Sequence, residues 1–140
     1  EWERTGMAAF HVGTIERLLE QSVSYSQSRT TINGPIGKNQ AISHKLADIK
    51  MNLEAARLLA YKAAWNIDRN KNNTSDASIA KLFSSEALTT SAFDAIRIHG
   101  ANGYMTAYEI ERSLRDAIGS TIYSGTSEVQ RNLIAGWLGL

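Results

Sequence analysis

Between Ile42 and Ile67, apolar and small residues recur at alternating spacings of four and three: Ile42, Leu46, Ile49, Leu53, Ala56, Ala60, Ala63 and Ile67. A stripe of that period keeps one face of a helix turned toward a partner, so it predicts one long packed helix. Upstream, Met7, Phe10, Thr14, Leu18 and Gln21, joined by Val12, Ile15 and Leu19, form a looser and wider apolar face. They predict a first helix over about residues 1–29 that can be contacted on two sides. Residues 30–37, rich in breakers, read as a loop. After the polar, turn-like residues 68–73, Thr74 or Ser75 is placed to cap a third helix through Ile79, Leu82, Phe83, Leu88, Ala92, Phe93 and Ile96, ending near Gly100. A glycine-rich turn over residues 100–104 and a short helix over about residues 109–117 follow. Ser127, Glu128, Val129 and Gln130 read as a capping box that opens a last helix through Trp137. With no strand or repeat visible, the expected fold is all-α: an antiparallel four-helix bundle with one additional short helix, one domain over residues 1–140.

Composition narrows the function classes. A net charge of +1 lacks the concentrated basic face that nucleic acid or an anionic membrane requires. No stretch approaches the ~20 apolar residues of a membrane span. The chain has no cysteine, which removes a disulfide framework, a thiolate zinc site and a cysteine nucleophile, and fits a reducing compartment. His11, His44 and His99 have no second ligand type at helical spacing and read as structural or surface residues. Glu109 and Glu111 beside Arg112, Arg115 and Asp116 read as a solvated, ion-paired face. Ser124-Gly125-Thr126-Ser127 before a helix reads first as capping. The same free amides and small hydroxyls also suit a phosphate, carboxylate or carbonyl oxygen.

Three strings then stop being generic: residues 98–106 (IHGANGYMT), 111–117 (ERSLRDA) and 122–131 (IYSGTSEVQR). In order and separation they resemble the C-terminal signature of acyl-CoA dehydrogenases, and Arg29 followed eleven residues later by Gln40-Ala41-Ile42 resembles that family's arginine loop and next helix. The resemblance covers essentially the whole chain. It implies FAD as cofactor and oxidation of an acyl thioester to its α,β-unsaturated form, a carboxylate taking the α-proton while hydride leaves the β-carbon. By position, Arg29 and Gln40 resemble residues that touch the FAD of a neighbouring subunit. Gly100, Ala101 and Gly103 match the glycine turn beside that cofactor, and Arg97 precedes it where glutamine is common. Thr126 and Glu128 match the flavin-contacting stretch after the catalytic loop; Tyr123 matches a residue of the acyl pocket, with Ser124 and Gly125 beside the substrate.

One departure bears on the chemistry. The family string of tyrosine, glutamate, glycine and threonine here reads Tyr123-Ser124-Gly125-Thr126, and a serine alone is no base at neutral pH. A branch of the family that includes isovaleryl-CoA dehydrogenases and prolyl-carrier-protein oxidases carries its glutamate on the first helix, beside an arginine. Aligning Gly13 with a glycine of that helix puts Glu3 at the relocated position and Arg4 at its neighbour. The resemblance therefore implies Glu3 as catalytic base, with Glu1 as the fallback, and Arg4 on the substrate side. Taken alone, Glu3 reads as a first-turn acid favoured by the helix dipole. Ile32 stands where the arginine loop usually has an aromatic, and Asn33 where it has glycine.

The expected function is thus part of a flavin-dependent oxidoreductase acting on a CoA- or carrier-protein-bound acyl thioester. A homodimer or homotetramer is expected, with an electron-transfer flavoprotein as a further partner and no metal, in the cytoplasm or, second, the mitochondrial matrix. The alternatives are a non-catalytic module that keeps the family's oligomer and FAD contacts without a base, and a nitroalkane-oxidase-like or monooxygenase relative. The family's N-terminal helical domain and middle β-domain are absent from this chain, and the chain alone is expected neither to hold FAD nor to turn over.

Overall fold

A computed structural model describes residues 1–69 and 74–140; residues 70–73, and with them most of the turn expected there, lie outside the described residues. Six α-helices follow one another: α1 (Trp2–Ser28), α2 (Gln40–Asp68), α3 (Thr74–His99), the single turn α4 (Ala101–Tyr104), α5 (Ile110–Ser120) and α6 (Ser127–Trp137). The all-α expectation holds, with one addition. The loop after α1 contains a minimal antiparallel hairpin, β1 (Thr30–Thr31) and β2 (Gly34–Pro35), paired Thr30 to Pro35 and Thr31 to Gly34. Gly34 supplies the positive φ, +96°, that closes its turn. Two caps also differ. Thr74 and Ser75 lie inside α3 rather than capping it, and α6 is capped one residue earlier than expected, by Thr126, whose hydroxyl accepts from the Val129 amide at 3.4 Å.

Long-range bonds fix the directions. Glu1 bonds Thr74, His11 bonds Ser84 and the Tyr25 hydroxyl donates to the His99 carbonyl, so α1 and α3 run parallel with a constant offset of 73 to 74 residues. Arg57 pairs with Glu16, and Lys45 with Asp94, so α2 runs opposite to both. Thr89 donates to the Ala117 carbonyl and Ser120 to Ser85, so α5 runs opposite to α3. Helices α1, α2, α3 and α5 are therefore an up-down-up-down bundle with α3 at its centre, and α6 lies against α3 as the additional helix.

The α2 stripe packs as expected: Ile49, Leu53, Ala56, Ala60 and Ala63 are all buried. The α1 stripe is rotated by one residue. Its buried face is Thr5, Ala8, His11, Ile15, Leu18, Ser22 and Ser26, while Phe10 is 67% exposed. Most of the buried residues of α3 are small, Ala77, Ser78, Ala80, Ser84, Ala87, Ser91 and Ala95 among them, with Lys81 and Leu88 between, and Ser84 meets His11. Small side chains let two helices approach closely, and the separation depends on what stands at the contact. Phenylalanine has no room there; histidine and serine do. No helix among the described residues is long and apolar enough to cross a membrane.

At the end of α3 the chain reverses through Gly100, φ +59°, and α4 folds back over the last turn. Gly103 is what permits this. A Cβ there would lie 2.8 Å from the Ile96 carbonyl oxygen and 2.9 Å from the His99 Cβ. We expect Gly103→Ala to destabilise the fold by about 1–3 kcal/mol, the range for overpacking a rigid contact, measured as a lowered urea midpoint; an unchanged midpoint would show that α4 is not seated against α3.

Candidate functional site

The left-handed turn between α5 and α6 carries the residues set apart by the sequence. Ser124 and Gly125 have φ of +56° and +88°, and a non-glycine residue there is uncommon. In this conformation the Ser124 hydroxyl points toward the first turn of α1 and donates to Glu3 Oε1 at 2.6 Å. Residues 121 positions apart thus meet at one point. Beside them a cavity of about 330 Å³ is lined by Met7, Phe10, Tyr123 and Ser124. The exposed phenylalanine of α1 is one of its walls. Its apolar character fits an acyl chain, and the carboxylate and hydroxyl stand at its edge. Glu1, by contrast, is engaged with Thr74 on α3.

Beneath the turn lies a polar network that the sequence did not reveal. Lys81 on α3 is the largest wholly buried side chain, and its Nζ donates to the Gly125 carbonyl at 2.8 Å. Gln130 on α6, also buried, donates from Nε2 to the carbonyls of Ser124 and Gly125, both at 3.0 Å. Gly125 has the positive φ, +88°, that L side chains rarely adopt, and a Cβ there would stand 2.6 Å from Gln130 Nε2 and displace it. His11, read from the sequence as structural or surface, is wholly buried; its Nδ1 lies 2.9 Å from the Ser84 Oγ and its Nε2 3.3 Å from the Tyr123 hydroxyl. Ser84 donates onward to the Lys81 carbonyl, so its oxygen accepts from His11 Nδ1–H. That leaves the Nε2 lone pair to accept from Tyr123. The phenol is thereby turned inward and its ring walls the cavity. The signal for Lys81 was present in the sequence: residues 77, 81, 84 and 88 share one helical face, and three of the four are Ala, Ser and Leu.

Burial sets the charges here. Desolvation, and then the neighbouring Lys81 charge, push His11 down to about 4. The Lys81 ammonium is itself pushed down, first by burial and then by the nearby Arg4. Burial and then Asp116 raise the Tyr123 phenol. Glu128, in the first turn of α6, is lowered by its own backbone amide and the Thr126 hydroxyl. Thr126 and Glu128 therefore sit beside the Ser124 turn.

The other residues matched to cofactor contacts lie elsewhere. Arg29 ends α1, Gln40 opens α2, and Arg97, Gly100, Ala101 and Gly103 cluster where α3 gives way to α4. Along α1 at 1.5 Å per residue, Glu3 and Arg29 are separated by ~39 Å. Arg29 and Gln40 side chains are exposed and make no bond to the described residues, and Arg97 stands 3.9 Å from Asp94 and over the Phe93 ring. The exposed Arg29 guanidinium suits an anionic group such as a diphosphate, and Arg97, more than half exposed beside Asp94, can turn to one. Gly103 faces α3, and a larger cleft of about 550 Å³ between α1 and α2 has its cation, Arg57, paired to Glu16 and Glu54. No group of three or more metal-ligating side chains occurs among the described residues.

The comparisons with known proteins give the family and the fold. Residues 1–139 match the family model for the C-terminal domain of acyl-CoA dehydrogenases. The chain is 46% identical over 135 residues to an acyl-CoA dehydrogenase of Bacillus subtilis, covering 96% of this chain and 36% of that protein. It superposes on a crystal structure of the prolyl acyl carrier protein oxidase AnaB with a TM-score of 0.96 and 50% identity, covering 99% of this chain and 37% of that one. It superposes equally well, TM-score 0.96 and 35% identity, on an FAD complex of PigA, covering 99% of this chain and 36% of that one. The chain thus spans little more than a third of the length of each.

Because His11 is neutral in the fold at any pH above about 4, the unfolded chain binds the extra proton between that value and its ordinary 6.5. Stability is then expected to rise with pH across this window, since the unfolded state holds more protons there. Urea titrations from pH 4 to 7 check this, and His11→Gln should flatten the slope in that interval.

Proposed function

The chain belongs to the acyl-CoA dehydrogenase family through its C-terminal domain, and from that premise we propose that it forms part of a flavoenzyme that α,β-dehydrogenates an acyl thioester with Glu3 as the base. The observation that carries this reading is the 2.6 Å hydrogen bond between the Ser124 hydroxyl and Glu3, which joins the two positions at one cavity edge. A carboxylate at that edge can take the α-proton of an acyl group seated against Met7, Phe10 and Tyr123. Ser124 holds the carboxylate and does not replace it as base. The thioester headgroup is a CoA or a carrier protein; relatives of both kinds stand near this chain.

FAD is the cofactor this reading assigns. When bound, FAD would supply the acceptor for the β-hydride; with the α-proton taken by Glu3, the substrate loses two electrons and two protons as the double bond forms. Thr126 and Glu128 at the start of α6 would hold it beside Glu3. Arg29, Gln40, Arg97, Gly100, Ala101 and Gly103, toward the other end of the bundle, would reach the FAD of another subunit, Arg29 and Arg97 through their guanidinium groups. Assembly as a homodimer or homotetramer follows from that split. It is supported by Ile32, wholly exposed at the hairpin tip, and by Met51, Leu58, Tyr61 and Trp65, exposed on the outer side of α2. Electrons then pass to an electron-transfer flavoprotein in a dehydrogenase or to dioxygen in an oxidase.

In the complete flavoprotein, Glu3→Gln should lower kcat for acyl-thioester oxidation by roughly 10²–10⁴-fold, the usual contribution of a positioned general base, with FAD content unchanged. A variant that keeps most of its activity would remove Glu3 from the role. If the unaltered holoprotein does not bleach with any acyl thioester, the non-catalytic module is the better reading.

A further inference from the structure

We propose that Lys81 is a positioning residue for this site: from inside the bundle it ties the Ser124–Gly125 turn to α3 and, through that turn, sets where the Glu3 carboxylate stands. The part concerning Glu3 rests on the function proposed above; the tie between Lys81 and the turn does not.

Lysine is almost never wholly buried unless its amine is engaged. Here the side chain is at 0% exposure, and Nζ donates to the Gly125 carbonyl at 2.8 Å. The carbonyl belongs to a turn with two successive positive φ values, one of them on serine. Such a residue keeps that conformation only where its surroundings over-determine it. Gln130 supplies two of the bonds that shape the turn, yet it lies on α6 only five and six residues downstream. It ties the turn to its own helix α6, which reaches α3 through its packing and the Arg131–Glu86 pair at 2.6 Å. Lys81 supplies the direct bond from the central helix to the turn itself.

The geometry then runs in one direction. Helix α3 packs in parallel register on α1, and α1 carries Glu3 in its first turn. A turn anchored to α3 is thereby anchored relative to Glu3, and its Ser124 hydroxyl meets Oε1 at 2.6 Å. His11 adds a second tie through the Tyr123 hydroxyl, at a longer 3.3 Å. An amine donates the same bond whether or not it carries the extra proton, so the tie survives the burial and the Arg4 charge that favour the neutral form.

The experiment is Lys81→Met in the complete, FAD-loaded protein, with Glu3→Gln beside it. Amide hydrogen exchange of residues 121–127 should quicken by roughly tenfold, as for loss of one anchoring bond, while the amides of α2 keep their rates. The kcat should fall by roughly 10²-fold, the scale of a displaced reactive group, with KM altered by less than about threefold. If Lys81→Met does not fold, Lys81→Gln is measured in the same way. Unchanged exchange in residues 121–127 overturns the proposal, as does a loosened turn with unaltered kcat while Glu3→Gln is inactive. Should Glu3→Gln stay active, the base assignment falls separately, and the exchange of residues 121–127 alone decides the role of Lys81.

Discussion

The close parallel packing of α1 on α3 is the constraint from which the rest of the structure follows. Small residues on α3 leave room for an imidazole and hydroxyls beside Ile15 and Leu18 of α1, and the observed rotation of α1 uses it. That rotation turns His11 inward against Ser84 and Phe10 outward. It also sets Glu3 over the turn between α5 and α6. Had Phe10 pointed to the core, the cavity wall and the contact between Glu3 and Ser124 would both be lost.

Closeness on this face has a polar consequence. A small-residue interface buries hydroxyls, an imidazole and an ammonium that a leucine-lined interface would exclude, and buried polar groups need partners. The partners found are backbone atoms and side chains of the functional turn: the Gly125 carbonyl for Lys81 and the Tyr123 hydroxyl for His11. For Lys81 and His11, satisfying the buried group and shaping the site are the same bonds, while the buried hydroxyls of Thr5, Ser22, Ser78 and Ser91 have no partner among the described residues. The apolar half of the bundle, where α2 packs with Ile49 and Leu53, has no such coupling and serves as scaffold.

This division explains what was legible in the sequence. The α2 stripe could be read because its period is written in large aliphatic residues. The buried faces of α1 and α3 mix a few aliphatic residues (Ile15, Leu18, Leu88, Ile98) with Ser, Thr, Ala, His and Lys, which a hydropathy pattern scores weakly or as surface, so the first stripe was read through Phe10 instead of His11. The two-residue strands of the hairpin are too short for any alternation to show. The motif around Ser124 and the complementary Glu3 were visible as residue types at known separations. The helical face of Lys81 hinted at its burial, but the roles of Lys81 and Gln130 were not legible, because they depend on which carbonyl each reaches, and that is a property of the packed chain.

If Glu3 and Ser124 face one reacting carbon, as proposed, the seat of the carboxylate should be exchangeable between them. In the complete flavoprotein, Ser124→Glu added to Glu3→Gln places the carboxylate on the other side of the same 2.6 Å contact. The measurement is acyl-thioester oxidation by this double variant against Glu3→Gln alone. Recovery of at least roughly tenfold in kcat, about 1.4 kcal/mol of barrier, is the result expected of a single pocket with two possible seats for its base. An FAD-loaded double variant no more active than Glu3→Gln would contradict it.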